Sequence, residues 1–312
     1  MWSKCFIAVL CGMAVLLLLS QYSQAAEENL PAALIATSDT GYTICVDKSN
    51  QSLEVYRGRN RIMTFPCSTG SNPGDKQVKG DNRTPEGVYF SSQMIDGHDL
   101  PAYYGWKAYV LDYPNPVDIS TGKNGNGIWI HGRDLPLADM DTHGCVSLND
   151  KHLQEVAPYI HPYCTPVVIL ETIPYVDPKT LETSADRYKN FIRQWLLSLQ
   201  SKNFADFSKL YSSEFYDPEQ NLRLDAFLKI KQRDFSKHNH NSISTNQIHI
   251  IGCPKYILAY FLMDFTVNHI HRTGVKILYL EKNIEKPSII SERFIDQNSL
   301  KDNETLAICE WK

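Results

Sequence analysis

One cysteine and two histidines lie within a short stretch of the chain, and these are residue types that nucleophilic chemistry uses. The run Gly-Ile-Trp-Ile-His-Gly at 127–132 is followed by Thr-His-Gly-Cys at 142–145. A cysteine becomes a nucleophile when a histidine that is close in the fold, and not adjacent in sequence, takes its proton. The spacing of His131, His143 and Cys145 therefore predicts thiolate chemistry.

The N-terminus indicates where this chemistry takes place. Residues 1–4 carry one positive charge, residues 5–19 are almost wholly apolar, and Ser23-Gln24-Ala25 offers small residues for a signal peptidase. The apolar run of about 15 residues is shorter than the ~20 that a membrane-spanning helix needs. We therefore expect residues 1–25 to be a cleaved secretory signal peptide, with no membrane span in the mature chain.

Charge and cysteine content narrow the class of protein further. The net charge is −4, and it becomes −5 when Lys4 leaves with the signal peptide. This balance lacks the basic footprint of a nucleic-acid-binding protein. Six cysteines would remain, at positions 45, 67, 145, 164, 253 and 309. If Cys145 is a free thiol, at most two disulfides form, with a pairing that the sequence does not reveal; burial as small apolar residues is the alternative.

The pattern of apolar residues changes near residue 173 and predicts two domains after a short N-terminal segment, 26–40. Before it, short runs separated by turn residues predict a mostly-β domain with a helix at Asn149–Tyr159 and strands at Tyr42–Val46, Ser52–Tyr56, Ile62–Ser68, Gly87–Ser91, Lys107–Leu111, Ile128–His131 and Val167–Glu171. Residues 173–183, with two prolines, predict a linker. Beyond it we expect helices near 188–199, 204–215 and 222–235, then strands at 244–251, 256–267, 275–281 and 288–294. The expected class is α+β.

Three blocks of the first domain resemble the L,D-transpeptidase (YkuD-type) catalytic domain. They are His-Gly at 131–132, Thr-His-Gly-Cys at 142–145, and an upstream block with Ser-Thr-Gly at 68–70, Gly-Asp-Lys at 74–76 and Gly-Asp-Asn-Arg-Thr-Pro-Glu-Gly-Val-Tyr at 80–89. The resemblance implies a β sandwich over residues 41–172 that acts in the periplasm on peptidoglycan stem peptides. It implies a thioester acyl-enzyme and neither a metal nor an organic cofactor.

The same resemblance assigns roles to single residues. Cys145 is the nucleophile and His131 the base, with the second ring nitrogen of His131 oriented by a carbonyl such as that of Gly132. The amides of Gly144 and Cys145, with His143, form an oxyanion hole. His143 itself contacts substrate or tunes the thiol, and we rank it below His131 as the base because only His131 ends an apolar strand.

One position departs from the family pattern. Two residues after the cysteine the family usually carries Arg or Asn, whereas this chain has Ser147. We therefore include Ser147, Arg133 and Arg83 as candidate substrate-binding residues. Two alternatives stay open: a zinc site built from His131, His143 and Cys145, and a wall-binding protein without catalytic activity.

The second domain, 184–312, resembles an NTF2-like (SnoaL-type) cone through Arg187-Tyr188, Trp195, and the segments 274–280 and 289–293. Such folds enclose a pocket, and the fold alone does not identify its ligand. The two domains in one secreted chain resemble the cell-shape L,D-carboxypeptidases of helical bacteria, which trim stem tetrapeptides to tripeptides. The sequence leaves open transpeptidase or carboxypeptidase activity, and leaves dimerisation or wall-ligand binding open for the NTF2-like domain.

Overall fold

The computed structural model describes residues 29–237, 240–267 and 270–299. The expected signal peptide and Cys309 lie outside these ranges. The strands are β1 Leu30–Pro31, β2 Tyr42–Asp47, β3 Ser52–Arg57, β4 Asn60–Pro66, β5 Gly87–Asp96, β6 Lys107–Leu111, β7 Trp129–Arg133, β8 Val146–Asn149, β9 Pro166–Leu170, β10 Tyr175–Val176, β11 Tyr216–Asp217, β12 Leu222–Arg223, β13 His240–Thr245, β14 His249–Gly252, β15 Tyr256–Val267, β16 Ile270–Glu281 and β17 Ile289–Asp296.

The two helices of the first domain are short, whereas two of the three helices in the second domain are longer. They are α1 Pro116–Ser120, α2 Asp150–Val156, α3 Pro178–Gln200, α4 Phe204–Ser208 and α5 Leu224–Lys237, with 3₁₀ turns at Gly97–Asp99, Ala102–Tyr104, Ala157–Tyr159 and Gln297–Ser299. Within the described ranges, no helix is long and apolar enough to cross a bilayer.

Eight strands of the first domain form one mixed sheet in the order β4-β3-β2-β9-β5-β6-β7-β8. The β2–β9 and β7–β8 pairs are parallel, and the other pairs are antiparallel. Ile44 of β2 and Val146 of β8 share one apolar core, although β9, β5, β6 and β7 lie between these two strands in the sheet order. The sheet therefore folds back on itself, which agrees with the predicted mostly-β architecture.

The central strands β2 and β9 and the first half of β5 are buried on both faces. In β9, Val167 and Ile169 face the core of the first domain, while Val168 and Leu170 join a core that contains residues of the second domain, such as Leu258. Because side chains alternate between the faces of a strand, a run of apolar residues without polar interruptions satisfies both cores. The two domains therefore pack through a continuous apolar interface.

The second domain consists of an antiparallel sheet covered by helices. Its strand order is β13-β15-β16-β17, and β14 also pairs with β15. Helix α3 contributes Tyr188 and Trp195 to an apolar cluster with Phe261 and Leu278 of the sheet. Helices followed by strands were predicted for this region, and the α+β class is confirmed.

Some predicted boundaries are wrong, for identifiable reasons. Helix α3 begins inside the predicted linker because Pro178 occupies its first turn and Asp177 caps it, accepting from the Thr180 amide at 3.0 Å. The helix predicted for 204–215 ends at Ser208. Beyond it the chain pairs with the sheet instead, and the Ser212 amide donates to the Ile289 carbonyl at 2.9 Å. The stretch 244–251 contains parts of two strands, β13 and β14.

Tyr256 anchors the second domain to the first through its hydroxyl group. The hydroxyl accepts from the Val88 amide at 2.8 Å and from Asn115 Nδ2 at 2.7 Å, and it donates to the Val88 carbonyl at 3.1 Å. All three residues are buried. The β5 strand and the cap of α1 are therefore linked to the start of β15.

Replacing Tyr256 by phenylalanine should lower the free energy of unfolding by about 1–3 kcal/mol, because buried donors on Val88 and Asn115 lose their acceptor. Thermal or urea unfolding measures this change. Tyr103→Phe is the control: Tyr103 is 63% exposed, and its substitution should shift the stability by less than about 0.5 kcal/mol. Equal stabilities for Tyr256→Phe and wild type would contradict the prediction.

Candidate active site

The parallel pairing of β7 with β8 brings the histidine and the cysteine of the two motifs together. In this register His131 lies opposite Ser147, and Cys145 lies two residues before Ser147. Cys145 is the residue just before β8, so the pairing places it at the start of the strand beside the one that carries His131.

His131 is held in one orientation by its own strand. Its Nδ1 lies 2.6 Å from the Gly132 carbonyl oxygen, the type of contact predicted from the sequence. A carbonyl only accepts, so Nδ1 carries the proton and Nε2 is the nitrogen that can take one. Burial lowers the pKa of His131 below its ordinary value, and the charge of Arg133 acts in the same direction. The imidazole is therefore neutral near pH 7, as a general base requires.

Gly132 is needed beside this histidine for a steric reason. A Cβ at this position would collide with the carboxylate of Asp150, the first residue of α2. Asp150 in turn accepts from the Trp106 amide at 2.9 Å. The His-Gly pair thus lets the end of β7 pack directly against the start of α2.

Cys145 is half-buried and protonated in this state. Its Sγ donates to the Gly127 carbonyl at 3.4 Å. Burial raises the pKa of the thiol to about 11, although a hydrogen bond from the Trp129 backbone and the charge of Lys76 both oppose the increase. Thiolate formation therefore depends on a base that takes the proton during the reaction.

The loop before Cys145 has a backbone that only glycine adopts easily. Gly144 has φ of 122°, and a Cβ on it would lie 2.7 Å from the Arg83 carbonyl oxygen. Thr142 Oγ1 accepts from the Gly144 amide at 3.1 Å and donates to the Cys145 carbonyl at 2.8 Å. The loop is thereby fixed by the hydroxyl of Thr142 and by the backbone of Arg83, which packs against Gly144.

One of these contacts involves the Gly144 amide, which the family resemblance assigned to the oxyanion hole. The Gly144 amide already donates to Thr142, so it is occupied in this state. Within the described part of the chain, the amides of His143 and Cys145 make no hydrogen bond. His143 is exposed. The two unbonded amides are the donors that could bind an oxyanion.

The upstream motif block supports the catalytic loop from the other side. The Thr142 amide donates to the Thr69 carbonyl at 3.0 Å, and the Ser71 amide donates to the Thr142 carbonyl at 2.8 Å. The Gly70 amide donates to Thr84 Oγ1 at 2.8 Å. Residues 68–71 and 84 thus connect two separate motifs of the sequence at one site.

The three candidate substrate-binding residues lie in different environments. Ser147 is fully buried, and its backbone pairs with that of Ser68 in both directions. This placement argues against the predicted contact of Ser147 with substrate, because the Ser147 hydroxyl is buried. Arg133 is bound to Asp141 Oδ2 at 3.1 and 3.2 Å. Arg83 is half-buried and makes no ion pair with any described residue.

Aromatic side chains line the histidine, a contact that the sequence does not reveal. The ring of Tyr104 lies 5.0 Å from that of His131, nearly perpendicular to it, and 4.7 Å from Trp129. Tyr103 continues the row at 4.3 Å and is 63% exposed. These residues therefore form an aromatic row beside the base.

The remaining cysteines and the zinc alternative can be placed as well. Cys45, Cys67, Cys145 and Cys253 are free, whereas Cys164 is disulfide-bonded. Among the residues described, no three His, Cys, Asp or Glu side chains are grouped so that they could hold a metal ion. His131, His143 and Cys145 thus do not form the arrangement that a zinc site requires.

Two family models match the chain, one for each domain. Residues 41–169 match the L,D-transpeptidase catalytic domain (YkuD), and residues 187–293 match the Cds6 C-terminal NTF2-like domain. No curated protein matches the chain.

Solved structures match over both domains. Bd1075 from Bdellovibrio bacteriovorus is 25% identical, with a TM-score of 0.71 over 86% of this chain and 99% of that chain. The helical cell shape determining protein Pgp2 from Campylobacter jejuni is 23% identical, with a TM-score of 0.67 over 83% of this chain and 96% of that chain. These likenesses extend the shared fold across the domain interface. The chain therefore has a mostly-β domain with the YkuD fold, similar to the L,D-transpeptidase catalytic domain, followed by an NTF2-like domain.

Proposed function

We propose that this protein is a periplasmic, peptidoglycan-modifying cysteine enzyme that acts on stem peptides through a thioester at Cys145. The observation that supports the proposal is the β7–β8 register, because Cys145 immediately precedes β8 and the oriented His131 lies on β7 beside it. A nucleophile, a base and a set of backbone donors are the parts that acyl transfer needs.

In the first half of the reaction, His131 Nε2 takes the thiol proton while Sγ attacks the carbonyl carbon of an amide between an L- and a D-centre. The negative oxygen of the tetrahedral intermediate binds the His143 and Cys145 amides, and such donors contribute roughly 3 kcal/mol each. His131 then gives the proton to the leaving nitrogen, the carbon–nitrogen bond breaks, and a thioester remains. Arg83, next to the Gly144 loop, is the cation that we assign to a substrate carboxylate.

In the second half, an acceptor attacks the thioester and the sulfur leaves. If the acceptor is the amine of another stem peptide, the reaction is the L,D-transpeptidation expected of the catalytic domain that matches residues 41–169. His131 takes the proton of the attacking amine and returns it to the sulfur.

Water is the second candidate acceptor, which makes the protein an L,D-carboxypeptidase that trims tetrapeptides to tripeptides. A specific observation favours it: the likeness to a helical cell shape determining protein covers both domains and 96% of that chain. The choice between the acceptors depends on which of them reaches the thioester through the loops around the cleft.

We propose that the NTF2-like domain mediates dimerisation or binds a wall ligand. A cavity of about 410 Å³ in this domain is lined by Trp195, Lys276 and Glu292, among others. Lys276 and Glu292 are buried and lie 3.0 Å apart. A pocket with apolar walls and a few fixed polar groups suits a small or extended wall fragment.

Incubation of the purified protein with disaccharide tetrapeptides and mass analysis of the products tests the proposal. Cross-linked dimers indicate transfer to an amine, whereas tripeptides with released D-Ala indicate hydrolysis. Muropeptides that bind but return unchanged would instead support a wall-binding protein without catalytic activity.

A further inference from the structure

A buried lysine lies next to the chain segments that hold the thiol, and none of the roles above uses it. The Lys76 side chain is 3% exposed. Its Nζ donates to Asp81 Oδ1 at 2.6 Å and to the Val78 carbonyl at 3.1 Å. An ammonium has three donors, so one remains beyond these contacts within the described part of the chain. A buried ion pair alone is a weak source of stability, which calls for another explanation of this charge.

The surroundings of Lys76 lead directly to Cys145. Lys76 Cε lies 3.2 Å from the point that a Cβ on Gly125 would occupy. Two residues later, the Gly127 carbonyl accepts from the Cys145 thiol at 3.4 Å. On the other side, the Arg83 carbonyl packs against Gly144. The segment 76–83 therefore supports both chain segments that contact the thiol.

Lys76 is a cation among the titratable groups on the segments around the thiol. These groups are His131 on β7, His143 on the catalytic loop and Tyr104 on the 3₁₀ turn beside β7. Burial lowers the pKa of His131 and raises that of Tyr104, so both side chains are neutral near pH 7. The lysine charge favours the anionic form of Cys145, against the burial that raises the pKa of the thiol. The Asp81 carboxylate accepts hydrogen bonds from the Lys76 ammonium and also from the amides of Gln77, Val78 and Arg83. Its negative charge is therefore not directed at Lys76 alone.

The residue before Lys76 is bound to the second domain. Asp75 Oδ2 accepts from Lys255 Nζ and from Lys123 Nζ, each at 2.6 Å, and Asp75 Oδ1 accepts from the Glu86 amide at 2.8 Å. Lys255 lies between β14 and β15 and also donates to the Glu86 carbonyl at 2.7 Å. A side chain of the NTF2-like domain thus fixes both ends of the loop that carries Lys76.

We propose that Lys76 is a positioning residue that stabilises the Cys145 thiolate, and that the Lys255–Asp75 contact from the NTF2-like domain holds it in place. This inference rests on the proposed function only in taking Cys145 as the nucleophile. When the thiol proton moves to His131, the sulfur becomes an anion beside Gly127, in the chain segment that packs against Lys76, and the buried ammonium is little screened by solvent. The two domains then act together, because docking of the second domain sets the acidity of the thiol in the first.

The rate of Cys145 alkylation by iodoacetamide, followed by peptide mass from about pH 6 to pH 10, measures thiolate formation without any turnover. Lys76→Met should shift the profile to higher pH and slow alkylation at pH 7 by about tenfold, the effect of one pKa unit. Lys76→Arg keeps the charge and should stay within about twofold of wild type. Lys255→Met, at a site one-third exposed, should give a smaller slowing in the same direction. Lys79→Met is the control, since Lys79 is exposed in the same loop, and it should leave the profile unchanged.

A second variant guards against loss of folding. Lys76→Met with Asp81→Asn removes both buried charges, so no carboxylate is left without its cation, and this variant should show the same shift. An unshifted alkylation profile in either folded variant overturns the proposal, even if turnover falls. An unshifted Lys255→Met profile overturns the part assigned to the second domain. If wild type turns over no muropeptide and alkylation still depends on Lys76, the proposed function fails and this inference stands.

Discussion

Replacing Cys145 by alanine should abolish muropeptide processing, with turnover at least about 10⁴-fold below wild type. The methyl side chain of alanine has no atom that can form the thioester, and the remaining backbone donors and binding contacts cannot supply an alternative nucleophile. Product analysis by mass, with wild type and variant at equal concentration, measures the loss. Cys253→Ala is the matched control, because Cys253 is also free but lies at the interface between the domains.

A carbapenem provides an independent readout of the same residue. The Cys145 thiolate should attack the β-lactam carbonyl, the ring carbon–nitrogen bond opens, and the nitrogen takes the proton. All atoms of the inhibitor are retained, so the intact protein gains the full inhibitor mass. Wild type and Cys253→Ala should show the adduct and Cys145→Ala should not. Unchanged muropeptide processing by Cys145→Ala would remove the nucleophile assignment and favour the wall-binding alternative.

The apolar patterns predicted most strands because burial decides both the pattern and the fold. Strand β6 has the predicted bounds, Lys107–Leu111, and β15 has the predicted bounds, Tyr256–Val267. One sequence signal, a proline, was interpreted wrongly. Pro178 was taken as a sign of a linker, whereas a proline after a capping Asp177 is also typical of the first turn of a helix.

The site could be predicted only as far as its motifs reach. The motifs that contain His131 and Cys145 indicated both residues, and the β7–β8 register brings the chain segments that carry them side by side. The contact of Tyr104 with His131 and the bond of Lys255 to Asp75 join residues that are distant in sequence. No local pattern encodes such contacts, since they depend on how the sheet folds and how the domains pack. Burial of Ser147 depends on its bridge to Ser68 in the same way.

The second large effect separates the two histidines of the site. His131→Ala should lower kcat/KM by about 10²–10⁴-fold, the usual contribution of a general base. His143→Gln should cost less than about tenfold, because the substitution keeps a polar side chain and leaves the backbone amide at position 143 in place. Both variants keep Cys145, and its alkylation by iodoacetamide at about pH 10, where thiolate forms without a base, reports whether the thiol is still present and accessible.

The pH dependence of the reaction gives the base a signature that a purely structural histidine lacks. Burial holds the pKa of His131 below its ordinary value, so the neutral form persists as the pH falls from 7 to about 6.5, where a free histidine is half protonated. We therefore expect kcat/KM to stay level over this range and to fall only at lower pH, as His131 gains a proton. This acid limb should persist in His143→Gln and disappear from the residual activity of His131→Ala. If His143→Gln is instead the more damaging change and removes the acid limb, the base is His143, and the position of His131 within the strand β7 is not what selects it.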